Sequence, residues 1–165
     1  MKCISVVLVS FLFHACVFPT SEDVGGGFAL YLLRDSTIVA QNAFSQTIES
    51  LALADSALFT VRDLRSYVWS THAFSLTGNA RDRFEQFLLS HGKTSGVPFV
   101  VIVGQDRIYL GTFWWAYSSS MPPPCAVIDA SSPFPHRIGL ANGAIDKRND
   151  PRIYISLKAA SVLQE

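Results

Sequence analysis

The chain has 165 residues, 49% of them hydrophobic and only 16% charged, which is enough for one domain with a real core and too apolar for a disordered polypeptide. Lys plus Arg and Asp plus Glu both number 13, so no net field draws the protein to nucleic acid or to an anionic membrane surface. No run of like charges is long enough to make a tail.

The N-terminus speaks first about compartment. Lys2 precedes an apolar segment, Ile4 to Phe13. As a helix this segment is roughly 15 Å long, about half the hydrocarbon thickness of a bilayer. Its length and flanks predict a signal peptide over 1–16 rather than a membrane span. The alternative is a buried first element of a cytosolic fold. Phe13-His14-Ala15-Cys16 resembles a bacterial lipobox, in which a Cys after a small residue is lipidated. Phe13 and His14 depart from the Leu and the small residue usual in that motif. Lipidation of Cys16 and plain secretion therefore both stay open. Of three cysteines, Cys3 leaves with the leader; if Cys16 carries lipid, Cys125 has no intrachain partner and the fold does not rest on a disulfide. Residues 17–27, ending in TSEDVGGG, read as a flexible tether. Their glycines lack the preceding strand and following helix of a phosphate-binding loop.

Residues 28–165 are expected to form a single α+β domain. Phe28 to Leu33 predicts a first strand. Ala40, Phe44 and Ile48 keep helical spacing, which predicts a helix to about residue 48 and a short strand around Leu51 to Leu53. Thr60 with Asp63 three residues on is a capping pattern, flanked by Phe59 and Leu64 as a hydrophobic staple, and predicts a short helix from Val61 to about Tyr67. Thr71 to Leu76 alternates into a strand. Thr77 then opens a helix over Gly78 to His91, with Ala80, Phe84, Phe87, Leu88 and His91 on its inner face and Gly92 as its C-terminal cap.

The stretch from Val97 to Tyr117 is the organising centre. Phe99 to Val103 is short, apolar and rich in β-branched residues, as a strand buried on both faces is. Gly104-Gln105-Asp106-Arg107 breaks it, and Ile108 to Trp115 forms a second strand. The pair predicts a hairpin whose loop is longer than two residues. Two strands this apolar need cover. Downstream, Ala126 to Ile128 predicts an interior strand closed by Asp129, and Ile138 to Ile145 a weak edge strand. Asp150 caps a final helix with Pro151 at its first position and an apolar stripe of Ile153, Leu157 and Ala160. The order of elements predicts α+β, with helices on one face of a mainly antiparallel sheet.

From His72 to about Tyr117, the features His72-Ala73-Phe74-Ser75-Leu76-Thr77, the helix Gly78 to Phe87, and Phe99 to Val103 with Gly104-Gln105-Asp106 resemble the periplasmic head region of SecD/SecF translocation proteins. The resemblance implies a ferredoxin-like α+β unit. It covers under a third of the chain and does not imply translocation, which belongs to a multi-span membrane body. Taken whole, the chain is similar to uncharacterised secreted or lipid-anchored bacterial proteins.

Two groups of residues carry chemistry. A thiol site would use Cys125 as nucleophile, His136 as base and Asp129 or Asn142 as orienter, since a thiol needs an imidazole to take its proton and a third group to hold the ring. The plainer reading of Cys125 is a small buried hydrophobe. The second group is Phe113-Trp114-Trp115-Ala116-Tyr117: neighbours on a strand point to opposite faces, so Trp114 and Trp115 cannot share one layer. Trp114, Trp115 and Tyr117 would then bind a protein, a sugar or an apolar ligand, or else lie buried under cover on both faces. Asp55, Asp63 and Asp106 are carboxylates that tertiary structure alone can bring together. His72 is expected to be hydrogen-bonded at a strand edge, and His91 to serve the C-terminal end of its helix. No HExxH, CxxC or clustered Asp motif marks a metal or cofactor site.

These readings predict an extracytoplasmic, non-enzymatic domain that binds or supports at the cell envelope, needs no cofactor, and touches the membrane only through a lipid anchor. Its partner would be an envelope protein or a small apolar or sugar ligand. The alternative is a secreted thiol-dependent hydrolase using Cys125 and His136.

Overall fold

The computed structural model describes residues 27–92, 94–131 and 136–165. The expected leader, Cys16 and the tether to residue 26 lie outside the described residues. The domain is α+β. Its strands are β1 (Phe28–Leu32), β2 (Phe59–Thr60), β3 (Leu64–Val68), β4 (Ala73–Leu76), β5 (Val97–Val103), β6 (Asp106–Trp114), β7 (Ala126–Asp129), β8 (His136–Leu140) and β9 (Leu163–Gln164). They form one sheet in the order β2-β1-β5-β6-β7-β8-β4-β3-β9. Only β6–β7 and β3–β9 are parallel pairs.

The sheet curls on itself. Phe28 of β1 meets Tyr67 of β3 at 6.1 Å between ring centroids, and Phe59 of β2 meets Phe74 of β4 at 5.3 Å, although these strands lie far apart in the order. The concave side encloses an aromatic core in which Phe84, Phe99, Phe113, Ile128 and Ile138 are fully buried. Helices α2 (Gly78–Ser90) and α3 (Pro151–Ala159) supply Ala80, Phe84 and Phe87, and Ile153 and Leu157, to this core.

Strand β5 explains why both sides of the sheet need cover. Phe99 and Val101 enter the inner core, whereas Val100 and Ile102 join a second cluster with Leu33, Ala43 and Leu51 on the convex side. Helix α1 (Ala40–Phe44) and a 3₁₀ turn, Ile48–Ser50, cover that cluster. Arg107 pins the turn, donating to the carbonyls of Ile48 and Leu51. The helices therefore occupy both faces rather than one.

Other local expectations are corrected by geometry. The central hairpin closes with a two-residue loop, because Val103 pairs with Asp106. Gly104 takes φ +66 there, the positive value a tight turn matched to strand twist requires. The Thr60–Asp63 cap does form, with Asp63 accepting from the Thr60 N–H at 2.9 Å and its hydroxyl at 3.1 Å. It caps a single 3₁₀ turn, Val61–Asp63, and the chain then becomes β3, where Leu64 and Tyr67 reach the inner core. Tertiary burial overrides the local helix signal. The helix expected to residue 48 is only α1, and Leu53 contributes a lone bridge to Leu33. Strand β8 is interior, between β7 and β4, not an edge. Helix α2 ends on His91, whose Nδ1 bonds the Phe87 carbonyl at 3.1 Å. Gly92 serves close approach instead, since a Cβ there would fall 2.7 Å from the Tyr117 hydroxyl. Asp150 caps α3 as expected, accepting from the Arg152 N–H at 2.9 Å.

Candidate functional site

The thiol group does not assemble. The Ala141 N–H donates to the Cys125 carbonyl, so Cys125 stands opposite Ala141, and His136 lies five residues before Ala141, at the other end of β8. At strand rise this is roughly 16 Å. The two also face opposite ways. His136 packs on Phe74 and Phe84 in the inner core, whereas Cys125 borders a cavity of about 430 Å³ with Phe44, Ile48 and Leu110. Burial pushes the Cys125 thiol up to about 12, and burial lowers His136, opposed by a hydrogen bond to the Asp129 backbone carbonyl. The Asp129 side chain accepts instead from the Ser131 N–H, and Asn142 is exposed in the loop after β8.

The aromatic group divides as strand alternation requires. Trp115 is buried in the inner core at 4% exposure, and Tyr117 is 61% exposed. Trp114 is half-buried over Gly96, where a Cβ would come within 2.6 Å of the indole. The three do not form one contact surface; Trp115 is withdrawn from any partner. The carboxylates do not converge either, for Asp55 pairs with Arg34, Asp63 with Arg83 and Asp106 with Arg152.

A polar cleft of about 540 Å³ lies elsewhere, lined by Trp69, His72, Arg137, Gly139, Asp146 and Arg148 among others. Its first wall is the loop 69–72 joining β3 to β4, whose register pairs Val68 with Ala73. This loop contains no glycine or asparagine, and His72 adopts φ +53. A left-handed conformation costs a residue with a Cβ on the order of 1 kcal/mol. Packing holds it there. His72 is 4% exposed, stacks edge-on against Trp69 and Tyr67, and its Nδ1 meets the Tyr67 hydroxyl at 3.0 Å. Its backbone carbonyl accepts from the Ile138 N–H of β8.

The protons at this contact can be placed. Burial raises the Tyr67 phenol well above its ordinary range, so the hydroxyl keeps its proton. Among the described residues its one hydrogen-bond partner is His72 Nδ1. Donating into Nδ1 satisfies that proton; accepting from Nδ1–H would strand it in the core. His72 Nδ1 is thus the acceptor, and the neutral ring of this cleft-lining residue carries its proton on Nε2. Burial, helped by Arg148, lowers the His72 pKa, which keeps the ring neutral.

The second wall is the segment after β8. Arg148 and Asp146 form a two-pronged pair, Nε to Oδ1 at 2.9 Å and Nη2 to Oδ2 at 2.8 Å. Arg148 also donates to the Ile138 carbonyl at 2.7 Å. Hydrogen bonds from Arg148 bring the Asp146 carboxyl down to about 2. Asn149 donates to the same carboxylate. Arg137 and Gly139, alternate residues of β8, form the floor. The missed signal was the loop 69–72: with no glycine, a hairpin this short forces a residue with a side chain into the left-handed region. Among the described residues, no helix is long and apolar enough to cross a membrane. Set against protein-family models, curated proteins and solved structures, the chain finds no match in any of the three.

Proposed function

We propose that this chain is an extracytoplasmic, non-catalytic binding domain whose ligand seat is the cleft beside His72. The observation that carries the binding role is His72 itself: a buried residue with a strained backbone, its ring fixed through Nδ1 by Tyr67, that lines a polar cleft. Backbone strain kept by surrounding structure gathers at ligand sites. A neutral imidazole held in one tautomer is a directional donor, and the loop, β8 and the Arg148–Asp146 pair hold it on rigid elements. The export reading rests on Lys2 and the apolar segment Ile4–Phe13, and lipid anchoring on Cys16. A ferredoxin-like core is supported only by the succession β4, α2 and the β5–β6 hairpin. The separation of Cys125 from His136 and the raised thiol weigh against the hydrolase reading.

The test is a small-molecule library screened by amide chemical-shift mapping on the full chain. Hits that shift residues 69–72, 137–140 and 146–149 support the proposal. Hits confined to other surfaces, or a hydrolytic turnover lost in Cys125→Ser while the fold is kept, overturn it.

A further inference from the structure

The floor of the cleft holds an unexplained glycine. Elsewhere on the sheet Gly111 has a packing reason, because a Cβ there would sit 2.3 Å from the Phe99 ring. Gly139 has none of that kind. Its φ is not positive, and a Cβ would meet only the Val127 carbonyl, at an ordinary 3.5 Å. A glycine inside a strand weakens it and often marks a bulge, a bend or a close approach of a ligand or another backbone; the β7–β8 register is unbroken through Gly139, so no bulge accounts for it. Two residues along the same strand is Arg137, exposed and, among the described residues, without an ion-pair partner. Across the cleft the Arg148 charge is already balanced by Asp146. Two guanidiniums against one carboxylate leave the cleft one positive charge in excess, and that charge is Arg137.

We propose that the cleft binds the oxyanion group of a small ligand, a carboxylate or a phosphate, with Arg137 as the counter-charge, His72 Nε2–H as the directional donor and the bare backbone at Gly139 as the space it occupies. This rests on the cleft being the ligand seat and adds the chemistry of the ligand. A guanidinium fork and a fixed N–H donor match the planar oxygens of a carboxylate or the oxygens of a phosphate. The neutral ring adds direction without a second charge, so selectivity for an anion comes from Arg137 alone. Trp69, half-buried on the rim, offers an apolar wall to the remainder of such a ligand.

The experiment titrates the full chain with sodium phosphate, with sodium acetate and with methyl glucoside at constant ionic strength, following the His72 ring and the residue 137–140 amides by NMR. The expected result is saturable shifts at those positions with phosphate or acetate, whichever oxyanion fits, and none with the glucoside. Arg137→Gln should weaken the bound anion by at least about tenfold, with Arg137→Lys intermediate. Gly139→Leu should fill the floor and abolish the shifts; a loss of fold in that variant leaves Arg137→Gln to decide. No saturable shift with either anion, or shifts that persist unchanged in Arg137→Gln, would overturn the proposal. Glucoside binding at the same residues would overturn it too, while leaving the cleft as a ligand seat.

Discussion

The cavity beside Cys125 and the cleft beside His72 share a wall and little else. Along one segment, Gly143, Ile145 and Lys147 border the first, whereas Asp146, Arg148 and Asn149 border the second. Their volumes are similar, about 430 and 540 Å³. The thiol side is walled mostly by apolar groups, so its one nucleophile is held protonated, at about 12. On the other side every ionisable group has a partner or a cleft to face. What separates a reactive or recognising group from an inert one is its surroundings, not its type.

The sharpest way to break this contrast is to alkylate Cys125. With the thiol at about 12, its thiolate fraction near neutral pH is lower than that of a free cysteine by roughly a thousandfold. Iodoacetamide should therefore modify folded Cys125 more slowly than the unfolded chain by at least about tenfold, since the greater nucleophilicity of a more basic thiolate offsets part of the lost fraction. Peptide mass mapping reads this and separates Cys125 from Cys3 and Cys16. Rapid modification of the folded protein would restore the hydrolase reading.

The shared wall offers a second test. Arg148→Ala removes the two-pronged donor from Asp146, which keeps the Asn149 amide and the residue 148 N–H, and the donor from the Ile138 carbonyl, and should cost about 1.5–3 kcal/mol in urea unfolding. Its neighbour Lys147→Ala, exposed on the thiol side, should change stability by less than about 0.5 kcal/mol. Equal effects would mean the two sides do not differ.

A pair of tyrosines sharpens the comparison further. Tyr67→Phe removes the donor from buried His72 Nδ1 and should destabilise by about 1–3 kcal/mol. The Tyr109 hydroxyl is buried without a hydrogen-bond partner among the described residues, so Tyr109→Phe removes only a desolvated group. It should be neutral or stabilise by up to about 1 kcal/mol. A Tyr109→Phe loss as large as that of Tyr67→Phe would contradict the assignment.

The smallest effect is the pH dependence. His72 and His136 are both lowered by burial, so each is neutral when folded and binds a proton more readily unfolded. Their stabilising contribution is complete above the ordinary value of 6.5 and is lost as pH falls below it. The slope reaches at most about 1.4 kcal/mol per pH unit for each ring. Tyr67, Arg148 and Asp146 face His72; Asp146, at about 2, does not titrate in this window. His72→Asn, which tolerates a left-handed backbone, should reduce the slope without abolishing it. An unchanged slope would show that His72 titrates alike in both states.

Legibility in the sequence followed the range of the interactions. The central hairpin, α2 with Ala80, Phe84 and Phe87 inward, and α3 with its Asp150–Pro151 start were readable because their signals are local and periodic. The segment Val61–Val68 was not, because a sound cap at Thr60 is followed by a strand that only long-range burial of Leu64 and Tyr67 selects. Strand β8 reads as a weak edge from its own residues, and only pairing with β7 and β4 makes it interior. The site was harder still. Trp114 and Trp115 were correctly placed on opposite sides by alternation, yet nothing in FWWAY says which one the core takes. Cys125 and His136 drew attention by residue type, whereas His72 matters through a backbone angle, a Tyr67 contact and a loop from residues 146–149 that no spacing reveals.

The most direct test of the account is the protonation state of the His72 ring, read from its side-chain ¹⁵N shifts as pH is varied. A ring that is neutral at 6.5, with its proton on Nε2 and Nδ1 bare toward Tyr67, is the predicted result. A ring half-charged at 6.5, or one with its proton on Nδ1, would contradict it.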